Sequence, residues 1–178
     1  MEDRCYRGEA AGEDAKCPVC GAVGKPVATQ TVKHMVKPEF LDLAGKGGFR
    51  FCRKGTCDVV YFHPEGEWFE KKDVRVRVGL KERTEPVALC YCFGFTEGMV
   101  REEIDKTGRC TIPERIAAEI KAGHCACEVR NPQGSCCLGN VRSAVKRLLG
   151  EAGERVAGGE VAASRGAEAS GCAVRAEG

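Results

Sequence analysis

The chain has 178 residues, of which 30 % are charged with acids and bases interspersed; a formal net charge of +2 gives no field that argues for a nucleic-acid partner. Aromatic residues make up 6 %, so each half of the chain should have a small core that metal helps to complete. Thirteen cysteines are the exceptional number; their count is odd and the start of the chain is polar and charged, which argues against a secreted disulfide framework.

No stretch approaches the roughly 18–20 apolar residues of a membrane span, so no membrane span and a soluble, cytoplasmic protein are expected. Residues 1–16 read as a flexible N-terminus. From 17 to 83 the chain carries short β-like runs: Phe49-Arg50-Phe51-Cys52, Val59-Val60-Tyr61-Phe62, Trp68-Phe69 and the alternating Val74-Arg75-Val76-Arg77-Val78. The segment Lys81-Glu82-Arg83-Thr84-Glu85-Pro86 is charged and ends in proline, which marks a linker, placed at 84–89.

From 90 to 150 the pattern turns helical. Thr96 can cap a first helix carrying Val100 and Ile104. Thr111 with Glu114 fits a capping box for a second, with Pro113 in its first turn, Ile112, Ile116 and Ile120 on one face and Gly123 as its stop. A third helix should run from about Gly139 to Leu149 with Val141, Val145, Leu148 and Leu149 inward, and end at Gly150. Residues 151–178 are mostly Ala, Gly, Glu and Arg with no Leu, Ile or aromatic residue, a composition that predicts a disordered tail.

Eight cysteines fall into two groups of four. In the first, Cys17-x2-Cys20 has the form of a zinc knuckle with Gly21 permitting a tight turn, and Cys52-x4-Cys57 supplies a second pair. Four thiolates closing a tetrahedron are the expected shell of a structural Zn2+, with no open position for catalysis. Two other uses of these thiols compete with it. A one-iron centre is also allowed by four thiolates, whereas a redox dithiol calls for a βαβ pattern that is missing. His34 and His63 read as solvated or partly packed imidazoles.

In the second group, Cys90-Tyr91-Cys92 is expected to present two thiolates in close succession to one iron, and a [2Fe–2S] cluster needs two for each of two irons. The further pair must come from Cys125, Cys127, Cys136 and Cys137. Cys5, Cys110 and Cys172 are left over. No Ser/His/Asp arrangement, phosphate-cradling glycine loop or paired-carboxylate motif stands out, so hydrolysis and nucleotide chemistry have no support and no catalytic residue is assigned.

The C-x-C pair, two intervening helices and later cysteines at a helix start resemble bacterioferritin-associated-ferredoxin-type [2Fe–2S] domains. The series Cys17-x2-Cys20, Cys52-x4-Cys57-Asp58-Val59-Val60-Tyr61-Phe62, Cys90-Tyr91-Cys92 and Cys127-x3-Asn131-Pro132-x-Gly134-x-Cys136-Cys137 resembles the N-terminal half of CopZ-type copper chaperones over about residues 17–149. The resemblance implies zinc on Cys17, Cys20, Cys52 and Cys57 and the cluster on Cys90, Cys92, Cys127 and Cys137; by their position beside these ligands, Cys125 and Cys136 are expected as substitutes or as a soft Cu+ landing place.

The fold class expected is α+β: a small β-rich zinc-binding module, a short helical [2Fe–2S] domain and a disordered tail. The function implied is one-electron transfer in copper handling, including reduction of Cu(II) to Cu(I), with an electron-donor protein and a copper chaperone or copper-transporting ATPase as partners. The further Met-x-Cys-x-x-Cys copper domain of such chaperones has no match in residues 138–178. The other reading is a non-redox binding or sensor module that recruits a protein partner.

Overall fold

The computed structural model describes residues 15–163. The first part is a four-stranded antiparallel sheet in the order β1-β2-β3-β4, formed by β1 (Lys25–Pro26), β2 (Arg50–Phe51), β3 (Val59–Phe62) and β4 (Trp68–Glu70). Two short helices, α1 (Thr29–Met35) and α2 (Leu41–Ala44), fill the connection between β1 and β2. The second part is a two-stranded hairpin, β5 (Ala88–Cys90) with β6 (Phe95–Thr96), followed by α3 (Glu97–Thr107), α4 (Ile112–Lys121), α5 (Cys127–Arg130) and α6 (Leu138–Ala163). The α+β architecture, sheet first and helices second, is the one expected.

All four residues of β3 are buried, which explains its unbroken apolar run. Val60 and Tyr61 pack with Val32, Met35, Phe49, Phe51 and Phe69 in the main core, while Val59 and Phe62 pack against Cys17, Cys52 and Cys57. One strand therefore serves both a hydrophobic core and the wall of the first cysteine group.

Three expectations are corrected. The Val74–Val78 alternation forms no strand: only Val74 bridges, to Val36, after the 3-10 turn Lys71–Asp73 has carried the chain away from β4. Its valines face the core all the same, Val74 and Val78 buried and Val76 packed alongside, so the period of two reports side-chain direction without a ladder partner. The capping box at Thr111 is absent; Thr111 gives both its amide (2.8 Å) and its hydroxyl (2.7 Å) to the Glu103 carboxylate instead, tying α3 to α4.

The third correction concerns α6, which runs through Gly150 to Ala163, so the disordered tail expected from 151 does not begin there. Gly108 and Gly123, after α3 and α4, have positive φ, but Gly150 does not, and a glycine with helical torsions only weakens a helix. Alanine, glutamate and arginine are strong helix formers, Ala152 packs on the core, and Glu151 and Arg155 pair with Arg101 and Asp105 of α3. Leu149, expected to face inward, is exposed. The rest of the expected tail and the N-terminal segment through residue 14, with Cys5 and Cys172, lie outside the described residues.

The charged segment between the halves is not free chain. Lys81 is buried, Val87 is buried, and Ala88 already belongs to β5. The two parts touch directly: the Tyr61 hydroxyl donates to the Pro132 carbonyl at 2.6 Å, and Lys25 Nζ donates to the Gln133 carbonyl at 3.3 Å and to Ser135 Oγ. Gly134, with φ of +61°, lies so close to α1 that a Cβ there would sit 2.8 Å from Thr31 Oγ1. Among the described residues no helix is long and apolar enough to cross a membrane.

Candidate metal centres

Two turns and the end of a strand build the first centre. The Cys17 amide bonds to the Ala22 carbonyl (2.8 Å) and the Gly21 amide to the Cys17 carbonyl (2.9 Å), curling the backbone around Cys17 and Cys20. Cys52 follows β2, its amide held by the Val60 carbonyl at 2.9 Å, and Cys57 closes a turn on the Lys54 carbonyl at 3.1 Å. The sulfurs of Cys17, Cys20, Cys52 and Cys57 all lie within 4.8 Å of one another. Cys17 and Cys57 are 4.0 Å apart and Cys20 and Cys52 3.6 Å, bracketing the edge of about 3.8 Å of a tetrahedron with Zn–S of about 2.3 Å. The residues present thus fit a four-thiolate ion.

Electrostatics point the same way. Burial pushes the Cys52 thiol up to about 12 and raises that of Cys57. Burial also acts against ionisation of Cys20, but the Ala22 amide and the neighbouring thiols bring it down to about 7. A site in which one thiol ionises readily and others are held back needs a cation to keep several thiolates together. Lys81 supplies part of the positive charge: 4 % exposed, it donates from Nζ to the carbonyls of Lys54 and Cys57, both at 3.0 Å, and lies 5.7 Å from the Phe51 ring centre. Sequence reasoning missed Lys81, because a lysine opening a charged run before a proline carries no sign of burial.

The second group is arranged differently. Cys90 ends β5, Cys92 lies in the following turn, Cys127 opens α5 and Cys137 immediately precedes α6. Cys92 and Cys127 sulfurs are 3.7 Å apart, and the Cys90 and Cys137 thiols interact closely enough to shift each other's ionisation. That interaction lowers the Cys90 pKa to about 6 and raises Cys137, while burial pushes Cys127 up to about 12. The Ala126 amide donates to Cys92 Sγ at 3.3 Å. Cys125, half-buried, and Cys136, exposed, stand beside these pairs in the chain.

Tyr91, between Cys90 and Cys92, accepts the Gly79 amide at 2.7 Å and donates to the Arg77 carbonyl at 3.1 Å, while Arg130 donates to the Cys92 carbonyl at 3.2 Å. His34 is not part of either group. His63 lies at the tip of the β3–β4 hairpin beside Glu65 and Glu67.

Comparison with known proteins adds three findings. Residues 14–75 match the CopZ family model described as a zinc binding domain. The chain is 38 % identical over 144 residues to the copper chaperone CopZ of Archaeoglobus fulgidus, a match covering 75 % of this chain and 68 % of that protein. It also superposes on the X-ray structure of the Archaeoglobus fulgidus CopZ N-terminal domain with a TM-score of 0.62 at 36 % identity, covering 72 % of this chain and 95 % of that one. The four-thiolate geometry and these matches agree, and the chain belongs to the CopZ copper-chaperone family, with a CopZ-type zinc-binding domain in its N-terminal part.

Proposed function

We propose that the chain is a cytoplasmic redox protein of copper handling, with Zn2+ on Cys17, Cys20, Cys52 and Cys57 and a [2Fe–2S] group on Cys90, Cys92, Cys127 and Cys137. The observation that carries the second assignment is the pairing of sulfurs. The Cys92 and Cys127 sulfurs stand 3.7 Å apart and the Cys90 and Cys137 thiols shift each other's ionisation, yet the four do not form one set of sulfurs all within 4.8 Å of one another. Two separate pairs suit two irons, whereas a single zinc needs one tetrahedron.

A [2Fe–2S] group held there supplies a one-electron couple, the change that reduction of Cu(II) to Cu(I) requires. The chain's own part is to hold and tune. The Ala126 amide donates to Cys92 Sγ, and the N-terminal end of α6 directs its dipole at Cys137, both favouring anionic thiolates. The exposed Cys136 and half-buried Cys125 flank the paired ligands and offer soft thiols to Cu(I) as cargo. An electron-donor protein, and a copper chaperone or copper-transporting ATPase that receives the ion, are the partners this role needs.

Residues 17–83 form the zinc module in this reading and 90–150 the cluster domain, joined at 84–89. Zinc, iron and acid-labile sulfide analysis of anaerobically purified protein tests it, together with the optical spectrum. The expected result is about two irons, two sulfides and one zinc per chain, with visible bands that bleach on reduction and return when Cu(II) is added and Cu(I) forms. Two zinc ions without sulfide, in protein made with cluster-assembly machinery present, overturn it. Cys125→Ser with Cys136→Ser should lower bound Cu(I) while leaving iron and zinc unchanged.

A further inference from the structure

We propose that His63, Glu65 and Glu67 form a third metal site, at the tip of the β3–β4 hairpin, that takes a divalent transition-metal cation with nitrogen and oxygen ligands, Cu(II) foremost. One ligand atom from each of the three lies within 4.8 Å of the other two. The Nδ1 atom of His63 is 3.6 Å from Glu67 Oε2 and 3.7 Å from Glu65 Oε2. Ligands held about 2.0–2.2 Å from one ion lie roughly 2.9–3.6 Å apart, so the two imidazole–carboxylate distances lie at and just above the upper end of that range.

The imidazole is aimed before any ion arrives. Gly48 lets the ring in, since a Cβ there would sit 2.7 Å from Nε2, and Phe49 packs edge-on at 5.3 Å between ring centres. Nε2 is thus turned to the protein and Nδ1 to the carboxylates. The Glu65 amide contacts Nδ1 at 3.2 Å, a long bond that an ion would replace. Glu67 is positioned from its far side: Lys46 pairs with Oε1, leaving Oε2 buried and without a hydrogen-bond partner. A carboxylate oxygen with no hydrogen-bond donor, on a side chain 31 % exposed and 3.6 Å from an imidazole nitrogen, is an arrangement that a cation can reach and bridge.

The donor set decides the class of ion. One imidazole and two carboxylates leave positions for water and suit Cu(II), Ni(II) or Zn(II), with Cu(II) tightest in the divalent series; Cu(I) prefers the sulfurs elsewhere in the chain. His63, Glu65 and Glu67 include no thiol, so the site offers an oxidised ion nitrogen and oxygen ligands only. The inference stands on the hairpin alone and does not depend on the cluster.

Trp68, the single tryptophan, follows Glu67 directly and reports on the site. Ni(II), which thiolates do not reduce, is titrated into the full zinc-loaded chain while Trp68 fluorescence and heat are followed; Cu(II) is then trapped by rapid freezing for electron paramagnetic resonance. One ion per chain should quench Trp68, and trapped Cu(II) should show a tetragonal signal coupled to a single nitrogen. Glu65→Gln, at a side chain 78 % exposed and so harmless to folding, should weaken Ni(II) by at least about tenfold, the loss expected even for a partner one shell further out. His63→Gln should abolish the nitrogen coupling with the zinc content unchanged. Absence of one-ion binding, or quenching and coupling equal to those of the parent in both variants, overturns the proposal.

Discussion

Lys81→Met removes the ammonium from beside the first centre while keeping a stem of similar length. In the parent, Nζ donates to the carbonyls of Lys54 and Cys57 at 3.0 Å each. The Cys57 bond is buried and the Lys54 bond only partly so, so water replaces the second donor but not the first. The cost is then close to that of one buried carbonyl left without a donor, about 2 kcal/mol within a range of roughly 1–3. The gain from no longer burying an ammonium offsets the lost attraction to the thiolates. At roughly 2–4 °C per kcal/mol for a chain of this size, Tm should fall by about 4–8 °C. The turn that carries Cys57 loses its clamp, so zinc should pass faster to a colorimetric chelator. Thermal unfolding followed by circular dichroism and the rate of chelator-driven zinc release measure the two effects. A Tm within 1 °C of the parent with an unchanged release rate would refute the clamp.

Ile116→Ala empties a fully buried position between α4 and α6 and should cost about 3 kcal/mol in urea unfolding; a loss under about 1 kcal/mol would mean that the site collapses without a cavity. Tyr61→Phe leaves the Pro132 carbonyl without its donor and should cost about 1–2 kcal/mol, with faster amide exchange at 127–134, where the two parts meet. Hydrogen bonds from the Thr111 hydroxyl, then from its amide, hold the Glu103 carboxyl below the usual carboxylate range. Its pKa is depressed on folding, so its contribution is present above about pH 4.3 and lost as pH falls through the folded value. The advantage of the parent over Glu103→Gln in urea midpoint should therefore shrink from pH 6 to pH 3, and a constant gap would show that the carboxylate charge is not what Thr111 reads.

Much of the fold was legible because the signals were of the right kind. Val59–Phe62, Trp68-Phe69, Thr96 with its helix and the Ile112/Ile116/Ile120 face are local patterns that tertiary contacts reinforce, and Thr96 does accept the Met99 amide. Helix α1 escaped notice because its N-cap is Ala28, with no side-chain acceptor to announce a start. Gly150 misled because glycine ends a helix by adopting positive φ, a choice made by the surroundings and not by the residue. The convergence of Cys17, Cys20, Cys52 and Cys57 was readable from spacing because a tetrahedral ion needs four sulfurs and little else. The separate pairing of Cys90 with Cys137 and Cys92 with Cys127 depends on where α5 and α6 begin relative to the β5–β6 turn, which spacing does not encode. His63-x-Glu65-x-Glu67 was visible as residues, but nothing in the sequence shows that Gly48, 15 positions earlier, admits the ring or that Lys46 turns the carboxylate.

The segment from Arg77 to Cys92, which its charges and proline mark as the approach to a linker, joins the two cysteine groups mechanically. Lys81 grips the carbonyl of Cys57, the Gly79 amide donates to the Tyr91 hydroxyl, and Tyr91 stands between Cys90 and Cys92. Gly79 has no room for a side chain, because a Cβ would meet the Ala88 carbonyl oxygen at 1.9 Å. A displacement of the Cys57 turn is therefore passed by short hydrogen bonds and backbone contact to the hairpin that presents the second pair of thiols. In a flexible linker such a displacement would dissipate in the freely rotating dihedrals of the chain. In this chain the same path runs through a buried lysine, a close-packed glycine and a tyrosine with both hydroxyl functions engaged, so the two cysteine groups are joined by ordered, packed chain.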